Sequence, residues 1–316
     1  MGRRLAILRA GDRTASEVAS HSREALDRPL AHPGELWTAI VRDDALLIGA
    51  FQRARDLGPG EDDATIPTVP RLRRGSGGPS VRVGPGTVHV ALSLSRPDAM
   101  TACDEKRIVN RAVRPLLRAL TKIGALAHFF GRDWVSVHHR PAAWVGFAHD
   151  ASTRRTLFEA FVAVRTPFAV NRPSFLGKPP GALDALVGAV VDPRRLVDAL
   201  VQAYTLAWDA EAIEVDAPAA SLDEGDVFAD PPWASTVDEA IGRLGAGFDA
   251  GGRFRVGGDL LVSRDALARL EARVAEAGQD DVARVIDETL TAPGVALDGV
   301  RSLTSVRDLV LRARRE

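Results

Sequence analysis

The stretch Arg73-Arg74-Gly75-Ser76-Gly77-Gly78-Pro79-Ser80-Val81, continuing to Gly84-Pro85-Gly86-Thr87, decides how this chain is read. Two adjacent arginines lead into a turn nearly devoid of side chains. An alternating segment follows, with Val88, Val90, Leu92 and Leu94 on one face and His89, Ala91, Ser93 and Ser95 on the other. Glycines let backbone N–H groups approach a ligand closely, and guanidinium groups offer forked donors to a phosphate or carboxylate. A plainer reading stands beside this one: a flexible hairpin connection carrying two solvated arginines.

The order of the surrounding elements separates the two readings. Upstream lie the apolar runs Leu36-Trp37-Thr38-Ala39-Ile40-Val41 and Ala45-Leu46-Leu47-Ile48-Gly49, closed by Ala50-Phe51-Gln52. Downstream come Phe130-Gly131-Arg132-Asp133-Trp134-Val135-Ser136-Val137 and Trp144-Val145-Gly146-Phe147. The series resembles the lipoate–protein ligase and biotin–protein ligase superfamily. Its members carry a strand ending in Gly-x-x-Gln, an Arg-Arg-x-Ser-Gly-Gly-Gly-Ala-Val loop, a Gly-Arg-Asn-Asp strand start and then a Lys-x-x-Gly hairpin. The resemblance spans roughly residues 30 to 215 and is most specific in the arginine–glycine loop.

The composition is that of a globular protein: 46% hydrophobic and 26% charged residues in 316. That length leaves room for a main domain and a smaller one. A formal charge of -1 argues against a nucleic-acid surface. The apolar run after Arg3 and Arg4 stops at Arg9, too early for a signal peptide, and no stretch is long enough to span a bilayer. The single cysteine, Cys103, has no partner for an internal disulfide, and a cytoplasmic protein is expected. Only Lys106, Lys122 and Lys178 are lysine among 41 basic residues, so a lysine required by chemistry stands out against a background of arginine.

Patterning predicts a helix over 13–26, a loop over 53–70, a helix from an N-cap at Asp104 to Ile123 that Pro115 kinks or divides, a strand over 156–164 and a helix over 194–209. Residues 216–233, with Pro218, Asp223, Glu224, Asp226 and Pro231-Pro232, read as a linker between a domain at 1–215 and a smaller one at 234–316. In the latter, a short helix is expected over 236–244, strands at 252–256 and 257–262, a helix capped by Ser263, and helices near 279–291 and 304–314. The predicted fold class is α+β: a mixed, largely antiparallel sheet packed by helices, with a small C-terminal α/β accessory domain of the kind found in many lipoate ligases.

The resemblance implies two-step chemistry. A lipoate- or octanoate-type acid attacks the α-phosphate of ATP, with Mg, to give an acyl-adenylate, and the lysine of a lipoyl-type carrier domain then takes the acyl group. It implies that Arg73, Gly75, Ser76, Gly77 and Gly78 hold the adenylate, that Gly86 and Thr87 lie against the nucleotide, and that Asp133 orients the nucleophile or a cation. The departures are specific. Pro79 replaces the third glycine and removes a donor, Val83-Gly84 stands for His-Asp, and Arg132 stands for the Asn of Asn-Asp. The lysine expected three residues before Gly146 falls on Ala143. Arg140 and Lys178 are the cations available to compensate, although a guanidinium replaces an ammonium poorly. The alternative is a catalytically silent relative that binds a lipoyl-like ligand or the carrier domain without ligation. Cys103 reads as a quiet helix-start residue. His138, His139 and His149 are the histidines that would suggest a metal site, but the adjacent pair points to opposite faces of a strand, and a solvated hairpin is the better reading.

Overall fold

Leu5 and Ile7 turn to one side of the first strand while Ala6 and Leu8 turn to the other, and all four are buried. A strand buried on both faces belongs in the interior of a sheet, and this one starts the architecture. The computed structural model describes residues 3–57, 69–131, 133–168, 178–218 and 229–315. Strand β1 (Arg3–Arg13) is followed by helix α1 (Ala15–Glu24), which begins at a capping box between Thr14 and Glu17. The helix supplies the crossover that lets β2 (Gly34–Val41) pair parallel to β1.

The chain continues through β3 (Ala45–Ile48), β4 (Arg71–Arg73), β5 (Val81–Val83), β6 (Val88–Leu94), α2 (Ile108–Lys122), β7 (Ala127–Phe129), β8 (Trp134–Val137), β9 (Arg140–His149) and β10 (Thr156–Val162). Helices α3 (Leu183–Val187) and α4 (Pro193–Trp208) and strand β11 (Ala210–Glu214) complete the first body. Eight strands form one sheet in the order β11-β1-β2-β6-β10-β9-β8-β7, parallel at β11-β1-β2 and antiparallel elsewhere. Strands β4-β3-β5 form a separate small sheet, with the arginine–glycine loop strung between β4 and β5.

The large sheet buries a core on each face. Leu36, Val90, Val145 and Phe158 share one core with residues of α2 and α4. Trp37, Ala91, Trp144 and Phe161 share the other with α1 and the small sheet. The second body holds its own core around Leu244, Leu270, Ile286 and Leu309. It comprises β12 (Ser235–Asp238), β13 (Arg243–Phe248), β14 (Phe254–Gly258), β15 (Leu261–Val262), α5 (Arg264–Glu276), α6 (Val282–Leu290), β16 (Leu297–Asp298) and α7 (Leu303–Ala313). The α+β class, with a largely antiparallel sheet packed by helices, is therefore the observed one. Among the described residues no helix is long and apolar enough to cross a membrane.

Several local expectations change. Residues 236–244 are not helical but form β12 and the start of β13, joined by a turn in which Glu239 and Gly242 exchange backbone hydrogen bonds. Glycine provides that turn, because Gly242 lies at φ 144. Helix α2 starts at Ile108 rather than after Asp104, with no side-chain cap, and runs unbroken past the buried Pro115. Ser263 precedes α5 without capping it, since its hydroxyl accepts the N–H of Ala296. His138 and His139 both adopt positive φ in the exposed turn joining β8 to β9. Residues 219–228 of the expected linker, and 58–68 of the expected loop, lie outside the described residues. The end of that linker is packed: Pro231 and Pro232 accept hydrogen bonds from Arg53, and Trp233 is buried.

Helices α2 and α4 are joined by a buried hydrogen bond of 2.8 Å from the Tyr204 hydroxyl to the Ala112 carbonyl. Tyr204→Phe removes it with no change of shape and is expected to cost about 1 kcal/mol in urea unfolding; an unchanged midpoint would show that the bond contributes nothing.

Candidate functional site

The loop between β4 and β5 is built around a buried charge. Arg74 is 1% exposed. Its Nη1 donates to the Leu47 carbonyl at 3.0 Å, its Nη2 to those of Gly77 at 3.0 Å and Pro79 at 2.7 Å, and its Nε to the Ser76 hydroxyl at 2.9 Å. The guanidinium is thus the scaffold on which the loop is wound. Burial pulls its pKa down to about 10, against the opposing fields of Glu159, Asp259 and Asp133. It stays charged at neutral pH.

Glu159 is the counter-charge. It sits in mid-β10, fully buried, where Cβ alternation turns it toward α1 and the loop. Ser22 donates its hydroxyl to one carboxylate oxygen at 2.8 Å, and His89 Nε2 lies 2.8 Å from the other. The Ser22 oxygen in turn accepts the Gly75 N–H at 2.7 Å. Burial pushes the Glu159 carboxyl up, but hydrogen bonds from His89 and Ser76 and the charges of His89 and Arg74 outweigh it and leave the pKa at about 2. His21, stacked on Trp37 at 4.2 Å, is driven the other way, to about 3, by burial and by repulsion from His89 and Arg28. It sits neutral beside the Arg74–Glu159 charges.

The glycine N–H groups that would cradle a phosphate are already committed. Gly77 donates to the Phe147 carbonyl at 2.8 Å and Gly78 to the Leu260 carbonyl at 2.8 Å, while Gly75 is held by Ser22. Close approach explains the sequence: a Cβ on Gly77 would lie 2.2 Å from the Leu260 oxygen, and one on Gly146 would lie 2.2 Å from Ser76 Oγ. The second body is therefore seated on the loop. Further bonds hold the seam, among them Gly258 N–H to the Phe51 carbonyl, the Gln52 amide to Asp259, Arg264 to Asp27 and Asp150, and the Ala151 and Ser152 N–H groups to Asp265.

The sequence-selected residues separate into groups. Gly75, Ser76, Gly77 and Gly78 come together over β9 and β10, and Asp133 is fully buried and close enough for its charge to act on Arg74. Arg73 points away from them, its Nη1 donating to the carbonyls of Gly49, Ala50 and Gln52, and it lines a cleft of about 550 Å³ at the seam. Gly86 and Thr87 form the β5–β6 turn, packed on Arg165 and bonded to Val41. Arg140 clamps the carbonyls of Pro179 and Pro180, which places Lys178 beside the β8–β9 hairpin. Ala143 lies in the apolar core shared with α2 and α4, on the sheet face opposite Trp144, whose side chain fills the loop-side core. Among the described residues, no three His, Cys, Asp or Glu side chains are grouped to hold a metal.

Sequence reading missed Glu159 and His89, although a lone acid in an otherwise apolar strand is a usable signal. It also gave Arg73 the place that Arg74 occupies. Because the depressed Glu159 pKa stabilises the fold above the ordinary carboxylate range and ceases to do so as pH falls through about 2, the cost of Glu159→Gln depends on pH. The substitution is expected to cost about 3 kcal/mol at pH 7, with the difference from wild type shrinking steadily below about pH 4.3 in chemical denaturation. A pH-independent difference would show that the carboxylate charge is not the stabilising element.

No protein-family model matches the sequence, and no curated protein matches it. Solved structures do match. One from the archaeal bipartite lipoate–protein ligase system of Thermoplasma acidophilum is 18% identical over 69% of this chain and 88% of its own, with a TM-score of 0.53. Lipoate–protein ligase A bound with ATP is 16% identical over 69% and 90%, with a TM-score of 0.51. LipL1 of P. falciparum, in complex with lipoate, is 12% identical over 98% and 100%, with a TM-score of 0.63. At such identities the likeness is one of architecture: the chain has the fold of the lipoate–protein ligases.

Proposed function

We propose that this chain is a non-ligating protein built on the lipoate–protein ligase fold, one that engages a lipoyl-type carrier domain without acylating it. The observation that carries this reading is the state of the glycine loop: its N–H donors at Gly75, Gly77 and Gly78 are all spent inside the protein. Electrostatic stabilisation of an adenylate needs donors aimed at the phosphate, not at carbonyls. Pro79 contributes no donor, and the position where a ligase lysine falls is Ala143, buried in an apolar core. A carrier domain is the partner suggested by the architecture, since the archaeal neighbour belongs to a system described with its E2 lipoyl domain.

A second reading rests on the seam. Over the loop itself the second body is held by hydrogen bonds at Gly78, Gln52 and Gly258, with Arg264 and Asp265 bonded to the first body beyond it, and a neighbour of the same fold holds ATP. If the second body lifts away, Gly78 and its neighbours become available, and the chain acts as a ligase that activates lipoate or octanoate with ATP and Mg. In either reading residues 1–215 are the ligand-facing domain and 234–316 the accessory one.

ATP–pyrophosphate exchange with lipoate and with octanoate separates the two. The first reading expects no exchange above background, together with saturable binding of an unmodified lipoyl domain in titration calorimetry. Exchange at enzymatic rates would establish the second. Ala143→Lys is not expected to restore activity, because it forces an ammonium into the core and costs about 3 kcal/mol or more; a stable, active Ala143→Lys variant would refute the assignment of that position to the core. Lys178→Ala is expected to leave both readouts unchanged.

A further inference from the structure

The cleft of about 550 Å³ at the seam is bordered by cationic side chains from both bodies. None of Ser76, Gly77, Gly78 or Asp133 lines it, so it is separate from the interior of the glycine loop. The first body contributes Arg53 and Arg73, and the second contributes Arg255 on β14 and Arg264 on α5, with Trp233 between them.

Arg53 and Arg73 differ from the other two in their partners. Arg264 is paired with Asp27 and Asp150, and Arg255 with Glu271 at 2.8 Å. Arg53 and Arg73 form no ion pair among the described residues and bond to backbone carbonyls alone. Arg53 is 3% exposed, lies over the Trp233 ring at 3.7 Å, and has an Nη2 with no hydrogen-bond partner. Two carboxylates bordering the cleft are already spent: Glu271 on Arg255 and the Val256 N–H, and Asp265 on Arg269 and the backbone of Ala151 and Ser152. Among the described residues bordering the cleft, Asp230 is the carboxylate left to oppose two guanidinium charges.

Desolvating two like charges against carbonyls is costly unless an anion completes the arrangement. Guanidinium groups held by their backbone partners in a fixed geometry are suited to a phosphoryl group, which accepts several charge-assisted bonds at once. The volume lies within the range of small-molecule sites and exceeds what inorganic phosphate alone would fill. We propose that the seam cleft binds a small phosphorylated molecule whose phosphoryl group sits between Arg53 and Arg73, with Arg255 reaching it from the second body. The ligand bridges the two bodies and stabilises their closed arrangement. This inference does not rest on the reading of the glycine loop, and either outcome of the exchange assay leaves it standing.

Pyrophosphate is the probe. Thermal unfolding of the full chain is followed with pyrophosphate and with sodium chloride at matched ionic strength, so that non-specific screening is subtracted. Pyrophosphate in about tenfold excess over its dissociation constant is expected to raise Tm by about 2 °C or more beyond the salt control. Arg53→Met and Arg255→Gln are each expected to weaken binding at least about tenfold, while Arg253→Gln, whose side chain is 77% exposed and lies outside the cleft, retains it. Arg255 is 43% exposed, so its variant tests the site even if the Arg53 variant fails to fold. No shift beyond salt, or an undiminished shift in Arg255→Gln, overturns the proposal.

Discussion

The structure around the arginine–glycine loop depends on one buried ion system, Arg74 with Glu159. Each charge alone would be expelled from an interior of this kind, and together they are tolerated because each guanidinium nitrogen of Arg74 and each carboxylate oxygen of Glu159 has a hydrogen-bond partner. Arg74 spends its guanidinium on three carbonyls and the Ser76 hydroxyl. Glu159 is held by Ser22 and His89. A polar network satisfied in this way specifies a single loop conformation more sharply than it adds net stability. It also joins α1, the small sheet and the middle of the large sheet at one point.

The same satisfaction has a functional consequence. A phosphate-binding loop works by keeping backbone donors free, or exposed to water that a ligand displaces. Here the donors face Ser22, Phe147 and Leu260, and the adjoining face of the sheet is filled by Trp144 and Phe161. The polar and concave character expected of the loop lies instead at the seam, on the other side of Arg73, where guanidinium groups of the first body meet those of the second. The accessory body is thus part of the local chemistry: it closes the loop and supplies one wall of the adjacent cleft.

Much of the architecture was legible because it is written in short-range patterns. The alternation at 88–95 is β6, the apolar stripe at 194–209 is α4 shifted by one residue, and the run at 156–164 is β10 with its end drawn in to Val162. The failures have equally local causes. Residues 236–244 contain Val237, Ile241 and Leu244 at a spacing that fits a helix, but glycines at 242, 245 and 247 favour a turn and a thin strand. Trp233 packs directly against Gly245, which no residue with a side chain would permit. Arg73 and Arg74 are indistinguishable in sequence, yet strand alternation sends them to opposite destinations, one to the cleft and one to the interior.

What the sequence determined by itself was most of the long strands and helices, the glycine loop with its position between two strands, and the absence of a lysine between Lys122 and Lys178. What only the tertiary structure decided was where the loop's hydrogen-bonding capacity goes. Ser22 lies 137 residues from Glu159 and 53 from Gly75, and His89 lies 70 from Glu159. Periodicity and turn chemistry act over a few residues and carry no information about such pairings. They are set when sheet register and helix packing bring distant segments within hydrogen-bonding range. At that distance each buried donor must find an acceptor, and here the protein's own carbonyls and hydroxyls were the ones at hand.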